Sequence, residues 1–249
     1  MTRTIPKTSR ITSATSPTSV NDEPVLTAES APVQERFLRS ASIIDQDRLN
    51  THPVAIIGVG AIGSHLAEML AKLGVQEFTL IDFDEVDEVN LGVQGFYERD
   101  VGRFKTDAVI DRLEAINSQV EPEFFKTTYE ASMILDSSAV FSCVDSMKVR
   151  RQIFRDFREH DWPVFFDGRM AAESLRVFSI DRSPQAMEIY RASMFPSHEA
   201  HRESCTARAT IYCASMAAAI LCAQFKKWVM DQMPEPHIQF DLLAWDVYR

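Results

Sequence analysis

Residues 54–90 read VAIIGVGAIGSHLAEMLAKLGVQEFTLIDFDEVDEVN, and their order decides the fold. An apolar run, Val54 to Ile57, leads into Gly58-x-Gly60-x-x-Gly63. A helical pattern follows, with Ile62, Leu66, Met69, Leu70 and Leu73 on one face and Gly74 as its stop. A second apolar run ends in Asp82 and Asp84. Strand, glycine turn, helix, strand and acid in this order make a nucleotide-binding βαβ unit. Gly58 permits the tight turn, Gly60 lets backbone approach a phosphate, and Gly63 lets the helix pack on the strand. The helix that starts at Ala61 offers unpaired N–H groups and a partial positive charge to an anion. Asp82 stands about 20 residues beyond the turn, where an acid can hydrogen-bond a ribose hydroxyl.

Outward from this unit the same alternation continues. Periodicity predicts strands near 54–58, 77–82, 123–128, 139–143, 163–167 and 175–180. It predicts helices near 61–73, 104–117, 146–160 and 207–230, and a final strand within 236–243. The expected fold is α/β: a Rossmann-like, mostly parallel sheet with helices on both faces and an antiparallel C-terminal extension. Residues 1–32 are Ser/Thr/Pro-rich, without a large aromatic, and are expected to be a disordered tail ahead of one domain over 33–249.

Bulk composition narrows the function. A net charge of −10 argues against nonspecific nucleic-acid or anionic-membrane binding. The longest charge-free stretch, Ala209 to Phe225, is shorter than a bilayer demands and reads as a buried Ala-rich helix. Cys143, Cys205, Cys213 and Cys222 form no C-x-x-C pair, so they read as thiols of a reducing, cytoplasmic compartment.

After the second strand comes DFDEVDEVNLGVQGFYERDVGRFKTDAV, residues 82–109. The pattern D-x-D-x-V-x-x-x-N-L-x-x-Q, then D-V-G-x-x-K, then C-V-D followed by Arg150, resembles the ThiF/MoeB-type adenylating enzymes, relatives of the ubiquitin-activating enzymes. The resemblance runs over roughly residues 34–243. It implies ATP-dependent adenylation of the C-terminal carboxylate of a ubiquitin-like or sulfur-carrier protein by a homodimer. By that resemblance Lys105 reaches the α-phosphate and Asp145 holds Mg²⁺ against the phosphates. Asp82 binds the ribose, while Asp84, Asn90 and Gln94 line the nucleotide pocket with Gly58, Gly60, Ala61 and Gly63. Arg39, in Glu35-Arg36-Phe37-Leu38-Arg39, would serve the partner subunit's ATP. Such chemistry suits these residue types, because negative charge gathers at the phosphates as the carboxylate attacks.

Three departures bear on the resemblance. Val93 stands where the family has an Arg that contacts phosphate, with Arg99 or Arg103 as candidates to replace it. Ile189-Tyr190-Arg191-Ala192 stands where the family has a zinc-binding C-x-x-C, so no structural zinc is expected. Cys205 falls where some relatives carry a thioester or persulfide, and His201, Arg202 and Arg208 nearby could lower its pKa. Its competing reading is a packing residue. Arg169, after the fifth strand, could meet an incoming carboxylate or an acidic neighbour. Two other functions stay open: a same-fold adapter that binds a protein tail without turning over ATP, and an NAD-dependent oxidoreductase.

Overall fold

Val54–Ile57 forms strand β1, and all four of its side chains are buried. An unbroken apolar strand needs cover on both faces and a neighbour on each side. The computed structural model supplies these, describing residues 35–194 and 209–248. After a short helix α1 (Gln46–Leu49) and β1 come α2 (Ala61–Leu73), β2 (Glu77–Ile81), α3 (Lys105–Ile116), β3 (Glu121–Phe125) and β4 (Ala139–Ser142). There follow α4 (Met147–Glu159), β5 (Val164–Ala171), β6 (Ser174–Ile180), α5 (Pro184–Ala192), α6 (Ile211–Val229), β7 (His237–Asp241) and β8 (Asp246–Tyr248). These strands form one sheet in the order β3-β2-β1-β4-β5-β6-β7-β8. Strands β1 to β5 pair in parallel, and β5 to β8 pair antiparallel. This is the α/β arrangement expected from the sequence.

Alternate side chains feed two cores. Val54 and Ile56 join Phe141 and Phe166 under Leu66 and Leu70 of α2, Leu113 of α3 and Leu221 and Phe225 of α6. Ala55 and Ile57 join Phe165 and Phe178 under Ile153 and Phe157 of α4 and Tyr190 of α5. Each such buried side chain contributes about 1.5–3 kcal/mol of transfer free energy, which makes the sheet a rigid platform. No described helix is long and apolar enough to cross a membrane.

Several boundaries differ from the sequence expectation. Strand β3 starts two residues earlier than 123, because pairing of Glu121 with Glu77 of β2, not its own weak apolar pattern, sets its register. Strand β5 runs on to Ala171 and turns directly into β6, with Ala172 at φ 53°. An Ala-Glu turn carries none of the Asn-Gly chemistry that announces a tight hairpin. The single strand expected within 236–243 is the first arm of a hairpin, β7–β8, with Trp245 at φ 60° in the turn. Helix α5 was not anticipated, although Ser183 caps it and Pro184 opens it. The expected tail, residues 1–32, lies outside the described residues.

Candidate nucleotide site

The chain leaves β1 toward β2 on one side, while β4 lies on the other, so the crevice between the carboxyl ends of β1 and β4 is the switch point of the sheet. Ligands of open α/β sheets bind there. The glycine turn fills the β1 side. Gly58 adopts φ +88°, and a Cβ on it would meet the Cys143 carbonyl oxygen at 2.9 Å, so the turn rests on the end of β4. A Cβ on Gly63 would stand 2.0 Å from the Gly58 carbonyl oxygen. Helix α2 therefore starts against the turn, with Gly60 as its N-cap, no side-chain cap and no acid in its first turn. Its leading N–H groups, from Ala61 onward, are left to an anion. The Gln94 side chain lies 3.7 Å from where a Gly60 Cβ would be, and its Oε1 is buried without a partner.

Asp82 ties the two halves of the unit together. It accepts hydrogen bonds from the Val59 N–H at 2.8 Å and the Asp84 N–H at 2.9 Å. Burial raises its carboxyl pKa, against the pull of those N–H groups and of Lys105. Lys105 opens α3 and is buried, yet its Nζ bonds the half-exposed Asp84 carboxylate at 2.7 Å. Asn90 accepts from the Asp87 N–H at 2.9 Å, fixing the turn that carries it. Phe83, Asp84, Glu85, Asp87, Asn90 and Lys105 line an open cavity of about 430 Å³. Phe83, 58% exposed, gives that cavity an apolar ring. Sequence reasoning passed over it, since a lone Phe between two Asp carries no periodic signal.

Asp145 follows β4 and is exposed. The N-cap of α4 is Ser146, whose hydroxyl accepts from the Val149 N–H, so a cap does not occupy the Asp145 carboxylate. Asp82 thus links the glycine turn to Asp84 and so to the cavity that Asn90 and Lys105 line, Gln94 lies beside Gly60, Ala61 and Gly63 open α2 at the turn, and Gly58 rests against the end of β4, two residues before Asp145.

Other candidates lie elsewhere. Arg36 bonds the Ile116 carbonyl and Asn117, and Phe37 packs near Gly74, so this segment sits at the far ends of α2 and α3 from the glycine turn. Arg39 is exposed there and does not reach the crevice of its own subunit. Arg103 bonds Asp111 at 2.7 Å and Asp100 at 3.4 Å, and Arg99 lies over Tyr97, and neither lines the cavity. Arg150 is structural: its Nε bonds Asp167 at 3.0 Å and its Nη2 bonds the Gly168 carbonyl. Cys205, with His201, Arg202 and Arg208, lies outside the described residues. Burial pushes Cys222 up to about 12 and Cys213 up to about 11, and raises Cys143 further.

Comparison with known proteins agrees with this geometry. A family model described as ThiF family matches residues 34–248. Ubiquitin-like modifier-activating enzyme 5 of Oryza sativa subsp. japonica is 32% identical over 131 residues, covering 45% of this chain and 31% of that protein. The enzyme of the same name from Arabidopsis thaliana is 32% identical over 137 residues, covering 47% of this chain and 32% of that protein. These matches thus span about a third of each relative's length. Among solved structures, E. coli MccB with AMPCPP and MccA superposes with a TM-score of 0.69 at 17% identity, covering 86% of this chain and 70% of that one. PaaA superposes with a TM-score of 0.67 at 20% identity, covering 82% and 64%. At such identities the likeness concerns the fold.

Proposed function

The chain belongs to the ThiF family, and from that premise we propose that it uses ATP to adenylate the C-terminal carboxylate of a small ubiquitin-like or sulfur-carrier protein, or of a peptide. The observation that carries this reading is the buried Lys105, held by Asp84 at 2.7 Å beside a glycine turn that Asp82 fastens to β2. A hydride-transfer enzyme would need the turn and the acid but not this cation. Solved MccB structures hold ATP, or AMPCPP with the MccA peptide, on the same fold, which supports both nucleotide and peptide here.

In the proposed reaction a carboxylate oxygen bonds to the α-phosphorus of ATP, the bond to the β-phosphate oxygen breaks, and pyrophosphate leaves. The free N–H groups of α2 and the Gln94 amide bind phosphate oxygens. Asp82 orients the ribose, and Asn90 and Phe83 bound the pocket. Lys105 stabilises negative charge as it grows on the phosphate, while Asp84 keeps the ammonium aimed. Asp84, Glu85 and Asp87 make the cavity acidic, so a tetra-anionic nucleotide requires a divalent cation there. The Asp145 carboxylate, exposed and uncapped, fits that ion: one carboxylate plus phosphate oxygens is the usual Mg²⁺ arrangement. Among the described residues no group of three His, Cys, Asp or Glu is placed to hold a metal alone. When bound, Mg²⁺ neutralises the phosphates and holds them in line. Homodimer formation, with Arg39 serving the neighbouring subunit, belongs to the same proposal, as does any thiol chemistry at Cys205.

ATP–pyrophosphate exchange with a candidate carrier tests the reading. Exchange should require Mg²⁺ and be nearly abolished in Asp145→Ala. Exchange unchanged in that variant, or in excess chelator, refutes it. One second reading is favoured by a specific observation: with Val93 in place of the family Arg, and Arg99 and Arg103 engaged elsewhere, the fold could hold a protein tail without turnover. Carrier binding in the absence of any exchange would select that adapter.

A further inference from the structure

The adenylation site leaves unused a cationic patch farther along the sheet. Arg169 of β5 pairs in register with Arg176 of β6, Asp167 pairs with Phe178, and Phe178 pairs with His237 of β7. Register partners point to the same face, and residues two apart on a strand do so as well. Arg169, Arg176, Phe178 and His237 therefore share the face that α4 and α5 cover only in part.

Within this patch Arg169 is the buried anchor, its side chain 10% exposed. Its Nε donates to Asp167 at 2.5 Å, and its Nη1 donates to the Ser193 carbonyl, past the last turn of α5, at 3.1 Å. The guanidinium lies over Phe178 at 4.5 Å and Tyr190 at 5.1 Å from the ring centres. Its Nη2 is buried with no partner. His237 stacks on the same Phe178 at 4.7 Å, and its Nε2 is also buried with no partner. Asp167, the one carboxylate in the buried cluster, is shared by Arg150 and Arg169 and also accepts from the Tyr190 hydroxyl at 3.1 Å. Two guanidiniums against one carboxylate leave one positive charge over, and exposed Arg176 adds a second. In a chain of net charge −10 this local excess of positive charge is unusual, and it points to a ligand that supplies acceptors.

We propose that Arg169, with Arg176 and His237, forms a subsite that receives a carboxylate of the incoming peptide. This rests on the reading that the protein activates a peptide acid. A carboxylate matches a guanidinium edge geometrically, and the excess positive charge excludes amides and amines as preferred occupants. The acid is the peptide's own terminus or an acidic side chain upstream of it.

Nucleotide-free titration of the full chain, labelled with ¹⁵N-arginine, separates these sources. The probes are N-acetylglycylglycine, its C-terminal amide, and N-acetylaspartic acid diamide carrying only the side-chain acid. The Arg169 Nε–H resonance, identified by its loss in Arg169→Lys, should move with at least one acid and not with the amide. A response to the first acid assigns the terminus, and a response to the diamide assigns a side chain. The signal of Arg191, paired with Glu188 on the surface, should stay put. Arg176→Ala and His237→Ala, which alter less buried positions, should each weaken binding about tenfold, the loss of one charge-assisted hydrogen bond. No movement of Arg169 with either acid at tens of millimolar overturns the proposal. So does equal movement of Arg191, or unchanged affinity in both alanine variants. Because no ATP is present, failure of pyrophosphate exchange would count against adenylation and not against the subsite.

Discussion

Gly63→Ala puts the tightest contact in the nucleotide unit under load. The new methyl carbon would start 2.0 Å from the Gly58 carbonyl oxygen, and ordinary contact begins near 3.4 Å, so helix and turn must separate by 3.4 − 2.0 = 1.4 Å. The obstacle is backbone on both sides, and no rotamer change relieves it. Over-packing of this kind costs about 1–3 kcal/mol, and a backbone obstacle belongs at the upper end. Alanine returns about 1 kcal/mol of helix propensity. The balance is a destabilisation of about 2 kcal/mol, or ~4–8 °C in the unfolding midpoint for a chain of this size. The displacement falls on the N–H groups expected to bind phosphate, and a shift of that size can cost roughly 100-fold in activity. Thermal unfolding by circular dichroism and ATP–pyrophosphate exchange read the two effects. Gly92→Ala is the control: nothing lies within 4 Å of a Cβ there, and Gly92 is not among the positive-φ glycines. Its midpoint should match wild type. A Gly63→Ala protein as stable as wild type, with full exchange activity, would refute the close-packing argument.

Lys105→Ala should lower the adenylation rate by about 10²–10³ while weakening ATP binding less, because the cation acts most strongly on charge that develops during reaction; equal losses by kinetics and calorimetry would make Lys105 a ground-state contact. If Arg39 serves the neighbouring subunit, mixing Arg39→Ala with Asp145→Ala should restore part of the exchange activity, through the one composite site per heterodimer that keeps both groups. No recovery, with subunit exchange verified, would reduce Arg39 to a surface residue. The thiols of Cys213 and Cys222, pushed to about 11 and about 12 from an ordinary 9.0, should hold about 100-fold and 1,000-fold less thiolate than a free cysteine near neutral pH. Cys143 is raised further still. Disulfide-reagent labelling of the folded protein should therefore find at most one fast thiol, absent in Cys205→Ser; a fast thiol that survives this change would contradict the raised thiol pKa of the other three.

The sequence alone determined the βαβ unit with its glycine turn, because every part of it is local. Residues 54–90 carry strand, turn, helix, strand and acid without interruption, and the turn demands glycine wherever φ is positive or backbone must touch backbone. Lys105 and Asp145 stood out through the family resemblance, and the predicted elements placed one just inside a helix start and the other directly after an apolar strand. The tertiary structure decided what local pattern cannot carry. Partnership is one such matter: that Lys105 is held by Asp84, that Ser146 and not Asp145 caps α4, and that Arg103 spends its charge on Asp100 and Asp111 all depend on side-chain directions set by packing. The ends of β3 and β5 are another, since pairing with a neighbour outweighs the strand's own pattern at a sheet edge. The cationic patch is a third. Arg169, Arg176 and His237 are far apart in sequence and share no motif, and only the antiparallel register of β5, β6 and β7 lines them up on one face.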